Sequence, residues 1–372
     1  MKFTCNTKPL ADALDIGVIS ANISNYHKKS NIAQVTCGPN GLVINLEALN
    51  LRTELHLKGS WEGEEQQTRF VSSLLLKQLV STFDTATVTI EYLENGLILH
   101  SGKSKFTLPQ AIQADELELD KPAAIDASDV EITINKDDWK YIKDNQMYAI
   151  AMSFIHPVYT KVWIGDEGDV IVGDIDNSLF TLSKKGKLGS TCLLSDSIIN
   201  LFVTLPEGAK LSKHGSDYII SASSDSMEYI SQFTPMYESD ENVGSYMSEI
   251  FIDAMKHPEQ SIAVNAAVMG KFLSQATLLS TNTDDSIILS TSSEGLTLKD
   301  KNVDCKIQVG TNGLDFSQEF NTEALRKVIA NYGDAKINIS PSRDEEGEVT
   351  GILIWDENLT TLIGGVEEGE EV

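Results

Sequence analysis

Several short stretches of this 372-residue chain have residue types that carry chemistry in other proteins, but each lacks a part that the chemistry needs. Gly102-Lys103-Ser104 is similar to the end of a phosphate-binding loop. Position 97 is Leu where that loop needs a glycine, and strand patterns flank the segment where a helix N-terminus is required. Asp174-Ile175-Asp176-Asn177 begins like a calcium loop but is not followed by the glycine and glutamate that complete one.

Histidine and cysteine form no recognisable motif either. The six histidines lack metal-ligand spacing, and the four cysteines are scattered without a Cys-x-x-Cys pair. Scattered cysteines are typical of a reducing cytosol. We also find no nucleophile elbow, no metalloprotease motif and no glycine-rich dinucleotide motif after a strand. The sequence therefore predicts no enzyme activity, no cofactor and no metal site.

The chain carries 29 basic and 55 acidic residues, a formal net charge of −26. Such an excess argues against nucleic acid binding, because neutralising phosphates requires lysine and arginine. Net charge does not describe every face of a protein, however. Acidic residues are concentrated at 62–65, 115–120, 344–348 and 367–371. Basic residues fall in five of the six helices predicted below, namely Lys8, Lys77, Lys136, Lys140, Lys143, Lys271, Arg326 and Lys327.

A turn followed by an apolar strand pattern occurs three times, at Asn40–Ile44, Glu167–Ile171 and Glu294–Leu298. The turn glycines Gly41, Gly168 and Gly295 are spaced 127 residues apart each time. Solenoid repeats have periods of roughly 20–50 residues, so this period has the size of a domain. The spacing predicts one domain fold that is used three times.

Each repeat has two stretches with apolar residues three and four positions apart, the spacing of a buried helical face. The six predicted helices cover residues 8–21, 72–83, 136–152, 195–205, 266–279 and 321–332. Alternation of polar and apolar residues after each second helix predicts half-buried strands, and Asn95-Gly96 predicts a hairpin. The order strand, helix, strands, helix, strands indicates an α+β fold.

Length and hydrophobicity agree with this interpretation. A chain of 372 residues is expected to form two or three domains. No apolar run approaches the 18 or so residues of a membrane span, and the N-terminus lacks the apolar stretch of a signal peptide. We therefore expect a cytoplasmic protein that does not bind a membrane.

Three such domains, with no catalytic motif, an acidic exterior and lysines on helices, resemble the bacterial sliding clamp, the beta subunit of DNA polymerase III. Met1–Thr4 is similar to the family's first strand, and Leu99–Leu108 to its basic strand late in the first domain. Asn321–Val328 is similar to its third-domain helix. The resemblance extends in order from residue 1 to about residue 366 and indicates a divergent member.

The resemblance implies three tandem clamp domains, at residues 1–125, 126–247 and 248–366, followed by an acidic tail at 367–372. Each domain would have two helices packed on antiparallel sheets. Two chains would join head to tail as a homodimeric ring with pseudo-sixfold symmetry, enclosing duplex DNA without reading its bases. The implied function is that of a processivity factor. Its partners would be double-stranded DNA, a DNA polymerase and a clamp loader, in the cytoplasm of a bacterial cell or an infected host.

The resemblance also assigns three groups of site residues. The DNA-facing group consists of the helix-borne basic residues named above together with Lys28 and Lys29. The dimer interface would bring Phe106, Lys103 and Lys105 of one chain against Leu278, Leu279, Asp300 and Asp304 of another. A cleft for partner peptides would be lined by Val162, Ile175, Phe180, Pro235, Ile363 and Val366.

The expected cleft departs from the family pattern in two segments. Ile175–Thr181 keeps only the aspartate and an apolar end of the family's segment, and Gly364-Gly365-Val366 replaces the family's C-terminal segment. An altered partner preference is therefore expected, as for a clamp that serves a virus-encoded or otherwise divergent replisome.

Two other interpretations stay open at this point. The chain could be an acidic decoy that binds replication partners without encircling DNA, which predicts a monomer. It could also be an enzyme on a triplicated fold, which requires a concave cluster of titratable residues with perturbed environments. Substitution of Lys136, Lys140 and Lys143 lowers DNA retention only if the chain is a clamp.

Overall fold

The computed structural model describes residues 1–22, 31–48, 51–111, 119–125, 130–132, 134–150, 161–174, 178–185, 191–234, 252, 254–279, 286–301 and 303–366. Among them are six α-helices. They are α1 (Thr7–Asn22), α2 (Ser73–Ser81), α3 (Lys136–Asn145), α4 (Asp196–Thr204), α5 (Ala266–Leu279) and α6 (Thr322–Ala330). No helix in this part of the chain is both long enough and apolar enough to cross a membrane.

The strands and helices together form three similar series along the chain. The first series is β1 (Lys2–Asn6), β2 (Ile32–Gly38), β3 (Gly41–Ala48), β4 (Leu51–Leu57), β5 (Ser60–Glu62), β6 (Gln67–Ser72), β7 (Thr87–Leu93), β8 (Gly96–Ser101) and β9 (Ser104–Pro109). The second is β10 (Val130–Ile132), β11 (Lys161–Ile164), β12 (Asp169–Asp174), β13 (Leu179–Lys184), β14 (Cys192–Ser195), β15 (Lys210–His214), β16 (Asp217–Ser223) and β17 (Met227–Phe233). The third is β18 (Ile262–Asn265), β19 (Ser286–Ser292), β20 (Gly295–Lys299), β21 (Asp304–Ile307), β22 (Ser317–Asn321), β23 (Lys336–Arg343), β24 (Val349–Trp355) and β25 (Leu359–Gly364).

The prediction of one α+β fold used three times is confirmed. Each series reads strand, helix, four strands, helix, three strands, with β5 as the one addition in the first. Gly41 and Gly295 are the first residues of β3 and β20 after the turns from β2 and β19, and Gly168 lies in the turn from β11 to β12. Their φ angles are +113°, +94° and +131°, values that favour glycine, which explains why the residue recurs at this position.

The first compact unit comprises Met1–Lys140, Leu188–Ser190 and Ser197–Glu238. It contains a five-stranded sheet in the order β5-β1-β7-β8-β9 and an eight-stranded sheet in the order β10-β15-β16-β17-β4-β3-β2-β6. Four strands of the second series join four of the first in this larger sheet, through antiparallel pairing of β17 with β4.

The second compact unit comprises Tyr141–Lys187, Thr191–Asp196 and Ser239–Val372. Its eight-stranded sheet has the order β14-β11-β12-β13-β25-β24-β23-β18, and its smaller sheet has the order β21-β20-β19-β22. Here β13 pairs with β25, so the second and third series share a sheet. The middle series thus contributes strands to both units, and the three predicted domain ranges stay a prediction.

The helices form where their apolar residues cover a sheet, as predicted. Leu76 and Val80 of α2 are buried, and Trp139 of α3 stacks on Phe202 of α4 with ring centroids 4.4 Å apart. The side chain of Asn321 caps α6 by accepting from the backbone N–H of Ala324 at 2.9 Å. α3 is shorter than predicted, since it ends at Asn145 and a 3-10 turn follows at Met147–Ala149.

The segment that resembled a phosphate-binding loop is a hairpin turn. Ser101 pairs with Ser104 between β8 and β9, and Gly102 adopts φ +58°. No helix N-terminus follows it, because residues 104–109 form β9. The segment therefore lacks the helix N-terminus that a phosphate-binding loop requires.

Candidate nucleic-acid interface and binding cleft

The helices are less acidic than the rest of the chain. Their basic residues are Lys8, Lys77, Lys136, Lys140, Lys143, Lys271, Arg326 and Lys327, and their acidic residues are Asp12, Asp15, Asp137, Asp138, Asp144, Asp196 and Glu323. The six helices are therefore close to neutral, whereas the whole chain has a formal net charge of −26. The acidic excess lies in strands and connections.

Three of the predicted DNA-facing lysines lie at one cavity in the first compact unit. This cavity has a volume of about 850 Å³, and its lining includes Lys8, Lys77 and Lys136 together with Asp12 and Asp15. Nζ of Lys77 lies 3.0 Å from Oδ1 of Asp15. Nζ of Lys136 donates to the carbonyl oxygen of Leu205 at 2.7 Å. Two of the three ammonium groups are thus held by the protein itself.

The two basic residues of α6 are held by a carboxylate of their own helix. The guanidinium of Arg326 donates two hydrogen bonds to Glu323, both of 2.7 Å, and Nζ of Lys327 lies 4.0 Å from the same carboxylate. The hydrogen bond from Arg326 lowers the pKa of Glu323, and the same bond raises the pKa of Arg326. The trio keeps a net charge of one positive unit.

Four of the predicted cations are exposed and make no ion pair within 4 Å in the part of the chain that the structure describes. They are Lys8, Lys140, Lys143 and Lys271. On α3 the lysines are spaced four and three residues apart, which places them on one side of the helix, while Trp139 and Ile142 are buried. Lys28 and Lys29 lie outside the described residues.

The predicted interface residues of the first series lie on β9 or in the turn before it, at a sheet edge. β9 is the last strand of the five-stranded sheet, with one edge unpaired among the described residues. Lys103 and Lys105 are exposed, and the half-buried ring of Phe106 stacks on Phe83 with centroids 5.3 Å apart. Phe106 is therefore not an ordinary core aromatic.

The other predicted interface residues lie at a helix end and at a sheet edge in the second compact unit. Leu278 and Leu279 at the end of α5 are 84% and 54% exposed, unusual for adjacent leucines. Asp304 is exposed on β21, the terminal strand of the four-stranded sheet. Oδ1 of Asp300 accepts from the N–H of Val303 at 2.5 Å in the preceding turn.

A second cavity, which we call the β25 cleft, lies in the second compact unit and has a volume of about 720 Å³. Its apolar lining includes the predicted residues Phe180 and Val366. Phe180 also belongs to a buried cluster with Trp163 and Trp355, so the floor of the cleft is continuous with an apolar core. The full lining is Ser178, Phe180, Ile288, Ser317, Gln318, Glu319, Ser342, Glu348, Val349, Thr350, Gly351, Leu362, Gly364, Gly365 and Val366.

Two residues expected in the cleft lie in the core instead. Val162 and Ile363 are 0% and 2% exposed and do not line it. Leu362, the neighbour of Ile363, lines the cleft because it pairs directly with Phe180 across β13 and β25. Successive side chains of a strand point to opposite faces, so Ile363 faces the other side of the sheet. Ile175 and Pro235 lie outside the described residues.

The C-terminal strand segment builds one wall of the cleft. The backbone N–H groups of Gly364, Gly365 and Val366 donate to the carbonyl oxygens of Ser178, Thr350 and Glu319, each at 2.8 Å. A Cβ atom at Gly365 would lie 1.9 Å from the side-chain amide nitrogen, Nε2, of Gln318, so the glycine allows this close packing. Ser178 has φ +46°, a conformation that non-glycine residues seldom adopt outside functional or strained sites.

Sequence reasoning missed most of the polar lining of the cleft. Gln318 and Glu319 lie on β22, and Glu348 lies in the turn before β24. Residues 364–366 hydrogen-bond to Ser178, to β24 and to β22, which brings these segments together. No local pattern reports these contacts, since they depend on pairing between strands far apart in sequence. The double glycine at 364–365 is the one local signal, because adjacent glycines in a strand often mark close backbone approach.

Among the described residues of the first compact unit, the most strongly perturbed pKa values belong to buried core groups. Burial raises the pKa of the Cys5 and Cys37 thiols to about 12, and it raises the pKa of Tyr92 as well. These are inert core groups, because a thiol or phenol with a raised pKa is a poor nucleophile. Among the described residues, no three or more histidine, cysteine, aspartate or glutamate side chains are arranged to hold a metal ion.

No protein-family model and no curated protein matches the sequence. Solved structures match the fold over the whole chain. The DNA polymerase sliding clamp from Bacillus subtilis is 16% identical with a TM-score of 0.76, and it covers 99% of this chain and 100% of its own. The beta subunit of DNA polymerase III from Thermotoga maritima is 12% identical with a TM-score of 0.78 and the same coverage. The beta subunit of the Streptococcus pyogenes DNA polymerase is 13% identical with a TM-score of 0.75, again with the same coverage. From β1 to β25, this chain therefore has the fold of the bacterial DNA polymerase sliding clamps.

Proposed function

We propose that this chain is a DNA polymerase processivity factor: a non-enzymatic sliding clamp that forms a homodimeric ring around duplex DNA. The observation that carries the proposal is the likeness to solved sliding clamps, which extends over 99% of the chain with TM-scores up to 0.78. Several features of the chain itself support the ring, the DNA contact and the docking of partners.

Sheet topology supports ring closure between two copies. In the first compact unit β4 pairs with β17, and in the second β13 pairs with β25. β21 is the strand of the third series that corresponds to β4 and β13, and β9 is the strand of the first series that corresponds to β17 and β25. Both β9 and β21 have an unpaired edge among the described residues. A second copy of the chain supplies the missing partner for each edge.

The side chains around the two edges include residues of opposite charge. Lys103 and Lys105 beside β9 are positive, and Asp300 and Asp304 beside β21 are negative. Leu278 and Leu279 expose apolar surface that Phe106 of a second chain would cover. Unpaired sheet edges and exposed leucines are otherwise sites of aggregation, and dimerisation removes both.

The charge distribution supports duplex DNA in the ring. Helices that are nearly neutral and carry exposed Lys8, Lys140, Lys143 and Lys271 offer phosphate contacts without base readout, so binding is independent of sequence. The acidic remainder of the surface repels DNA from every other face. Because a closed ring retains DNA by topology, individual contacts can stay weak and the protein can slide.

The β25 cleft supports the docking of partners. Its apolar floor at Phe180 and Leu362, with exposed Ile288 and Val366 nearby, suits extended peptides of a polymerase or a clamp loader. With such partners, the proposed site of action is the cytoplasm of a bacterial cell or of an infected host. The sequence-based domain ranges 1–125, 126–247 and 248–366 are part of this proposal.

Electron microscopy of the purified protein in moderate salt tests the proposal. A sliding clamp gives two-dimensional class averages of rings with six lobes and a central hole. Crescents with three lobes at every concentration, together with no binding of a short linear duplex that can thread a ring without a loader, would overturn the proposal and favour the decoy.

A further inference from the structure

We propose that the β25 cleft selects extended peptides in which apolar residues are flanked by lysine or arginine. This inference rests on the proposed function and specifies the partner chemistry of its docking site. It follows from three features of the cleft: an apolar floor, carboxylates at its rim, and a wall at residues 364–366 whose backbone N–H groups already donate to other residues.

The apolar lining of the cleft is exposed at Ile288 and Val366, beside a floor of buried Phe180 and half-buried Leu362. Phe180 and Leu362 lie opposite each other on β13 and β25, and Ile288 and Val366 are 40% and 44% exposed. A volume of about 720 Å³ lies in the range of ligand pockets and accommodates several side chains. An occupant must therefore supply apolar side chains to displace water from this surface.

The charged part of the lining has one sign. Glu319 and Glu348 are the charged residues among those that line the cleft in the described part of the chain. The nearest basic side chain in sequence is Arg343, whose guanidinium donates to the carbonyl oxygens of Gly347 and Asp315 at 2.8 and 3.4 Å. It neutralises no lining carboxylate through these bonds. Oε1 of Glu319 accepts from the hydroxyl of Ser286.

Neighbouring acidic residues strengthen the preference. The turn that precedes β24 reads Asp344-Glu345-Glu346-Gly347-Glu348, and all five of its residues are exposed. Glu367 and Glu368 follow Val366 directly in the sequence. Carboxylates that act together raise the local concentration of cationic peptides and disfavour acidic ones.

Hydrogen bonding favours the same class of ligand. The N–H groups of Gly364, Gly365 and Val366 are consumed by the carbonyl oxygens of Ser178, Thr350 and Glu319. This wall therefore has no spare amide to bind a carboxylate, whereas carbonyl and carboxylate oxygens can accept further bonds. Lysine and arginine side chains are donors without acceptors, so they match an acceptor-rich rim.

The alternative occupant on this chain is its own C-terminal segment, Glu367 to Val372. It has four glutamates and no basic residue. Like charges at Glu319 and Glu348 oppose its entry, and it has Val372 as its single large apolar side chain. A separate basic and apolar peptide is the better match in both charge and hydrophobicity.

The test is selection of random 12-residue displayed peptides on the full-length protein, with counter-selection against Val366→Lys. That substitution changes an exposed cleft residue and puts a positive charge into the cleft. We expect enriched peptides to share two or more apolar residues flanked by lysine or arginine. Enrichment of neutral or acidic peptides, or of none that depends on Val366, would overturn the inference.

Synthetic versions of the enriched peptides measure the contribution of the carboxylates. Glu319→Gln with Glu348→Gln should weaken binding roughly three- to tenfold and flatten its salt dependence. The matched control, Glu259→Gln with Glu357→Gln, removes the same charge from exposed residues that do not line the cleft, and it should leave affinity unchanged. An equal loss in both variants would mean that only overall charge matters, which contradicts the inference.

Failure of this inference and failure of the proposed function give different results. A chain that forms six-lobed rings but binds neutral peptides in the cleft is a clamp with another partner preference. A chain that binds basic peptides at the cleft but forms no ring and binds no duplex is not a clamp, while the cleft chemistry proposed here holds.

Discussion

Lys77 of α2 and Asp15 of α1 form an ion pair of 3.0 Å that joins the two helices of the first series. The pair lies at the cavity that Lys8 and Lys136 also line. A lysine held by an aspartate contributes less positive potential than an isolated lysine, because the two fields largely cancel at a distance. The basic residues of the helices should therefore differ in how much they contribute to DNA binding.

The first prediction concerns the isolated lysines of α3. Lys140→Gln with Lys143→Gln should weaken binding of a short duplex and reduce the slope of log affinity against log salt by about 2, because two phosphate contacts are lost. Fluorescence anisotropy between about 50 and 200 mM salt measures this slope. An unchanged slope would contradict the assignment of these lysines to the DNA contact.

Variants of the Asp15–Lys77 ion pair provide a control, and one of them is expected to strengthen DNA binding. Asp15→Asn frees Lys77 and should strengthen duplex binding. Asp15→Asn combined with Lys77→Gln removes the pair as a neutral unit and should leave the salt slope as it was. Weaker binding of the Asp15→Asn variant would show that Lys77 does not face DNA.

The second prediction concerns Leu278, which is 84% exposed. In the proposed dimer, Leu278→Asp should leave the fold of the chain intact and raise the dimer dissociation constant roughly tenfold or more, because a charge would replace a leucine contact. Analytical ultracentrifugation would show a shift toward the 40.7 kDa monomer. Val268→Asp, at a 43% exposed position on the same helix, is the matched control and should stay dimeric.

The third prediction uses Cys305 as a reporter of the β21 edge. Cys305 is half-buried, whereas Cys5, Cys37 and Cys192 are buried. If a second chain pairs with β21, alkylation of Cys305 by N-ethylmaleimide should slow as protein concentration rises. The Leu278→Asp variant should abolish this protection. Peptide mass spectrometry identifies the modified residue, and a rate independent of concentration would argue against pairing at this edge.

The pH dependence of this reaction follows from the thiol. Burial, and then the negative charge of Asp304, raise the pKa of Cys305 above its ordinary value. The thiolate is the nucleophile, so at neutral pH the reaction should be slower than for a free cysteine and should accelerate with rising pH beyond the range in which a free thiol has levelled off. Asp304→Asn removes one cause of the shift and should move the profile to lower pH.

Some of this architecture could be predicted because it is repeated. The turn glycines and the helical faces are local signals, and their recurrence at one spacing allowed the order of elements to be predicted. The side chains that face the cleft were not predictable in the same way. Leu362 and Ile363 are equally apolar neighbours, and only the pairing of β25 with β13 decides which of them meets Phe180. The ion pair between Asp15 and Lys77 likewise depends on helix packing.

The last prediction returns to the turn glycines. Gly41 has φ +113°, and a Cβ atom there would lie 2.6 Å from the carbonyl oxygen of Leu57. Gly41→Ala therefore combines backbone strain with a clash against a paired strand, and we expect a loss of roughly 2–4 kcal/mol in the free energy of unfolding. Gly208, in the same compact unit, has φ +81° but no atom within 4 Å of the added Cβ.

Gly208→Ala is thus the matched control, and it should cost about 1 kcal/mol through φ alone. Urea midpoints followed by circular dichroism compare the two variants with the parent. Gly295→Ala should behave like Gly41→Ala, because its Cβ would lie 2.3 Å from the carbonyl oxygen of Ile307 at the corresponding place in the third series. Equal midpoints for the Gly41→Ala and Gly208→Ala variants would mean that only the φ angle, and not the close approach of a neighbouring strand, requires glycine at position 41. A lower midpoint for both Gly41→Ala and Gly295→Ala would show that the close approach of the neighbouring strand requires glycine at this position of the first and third series.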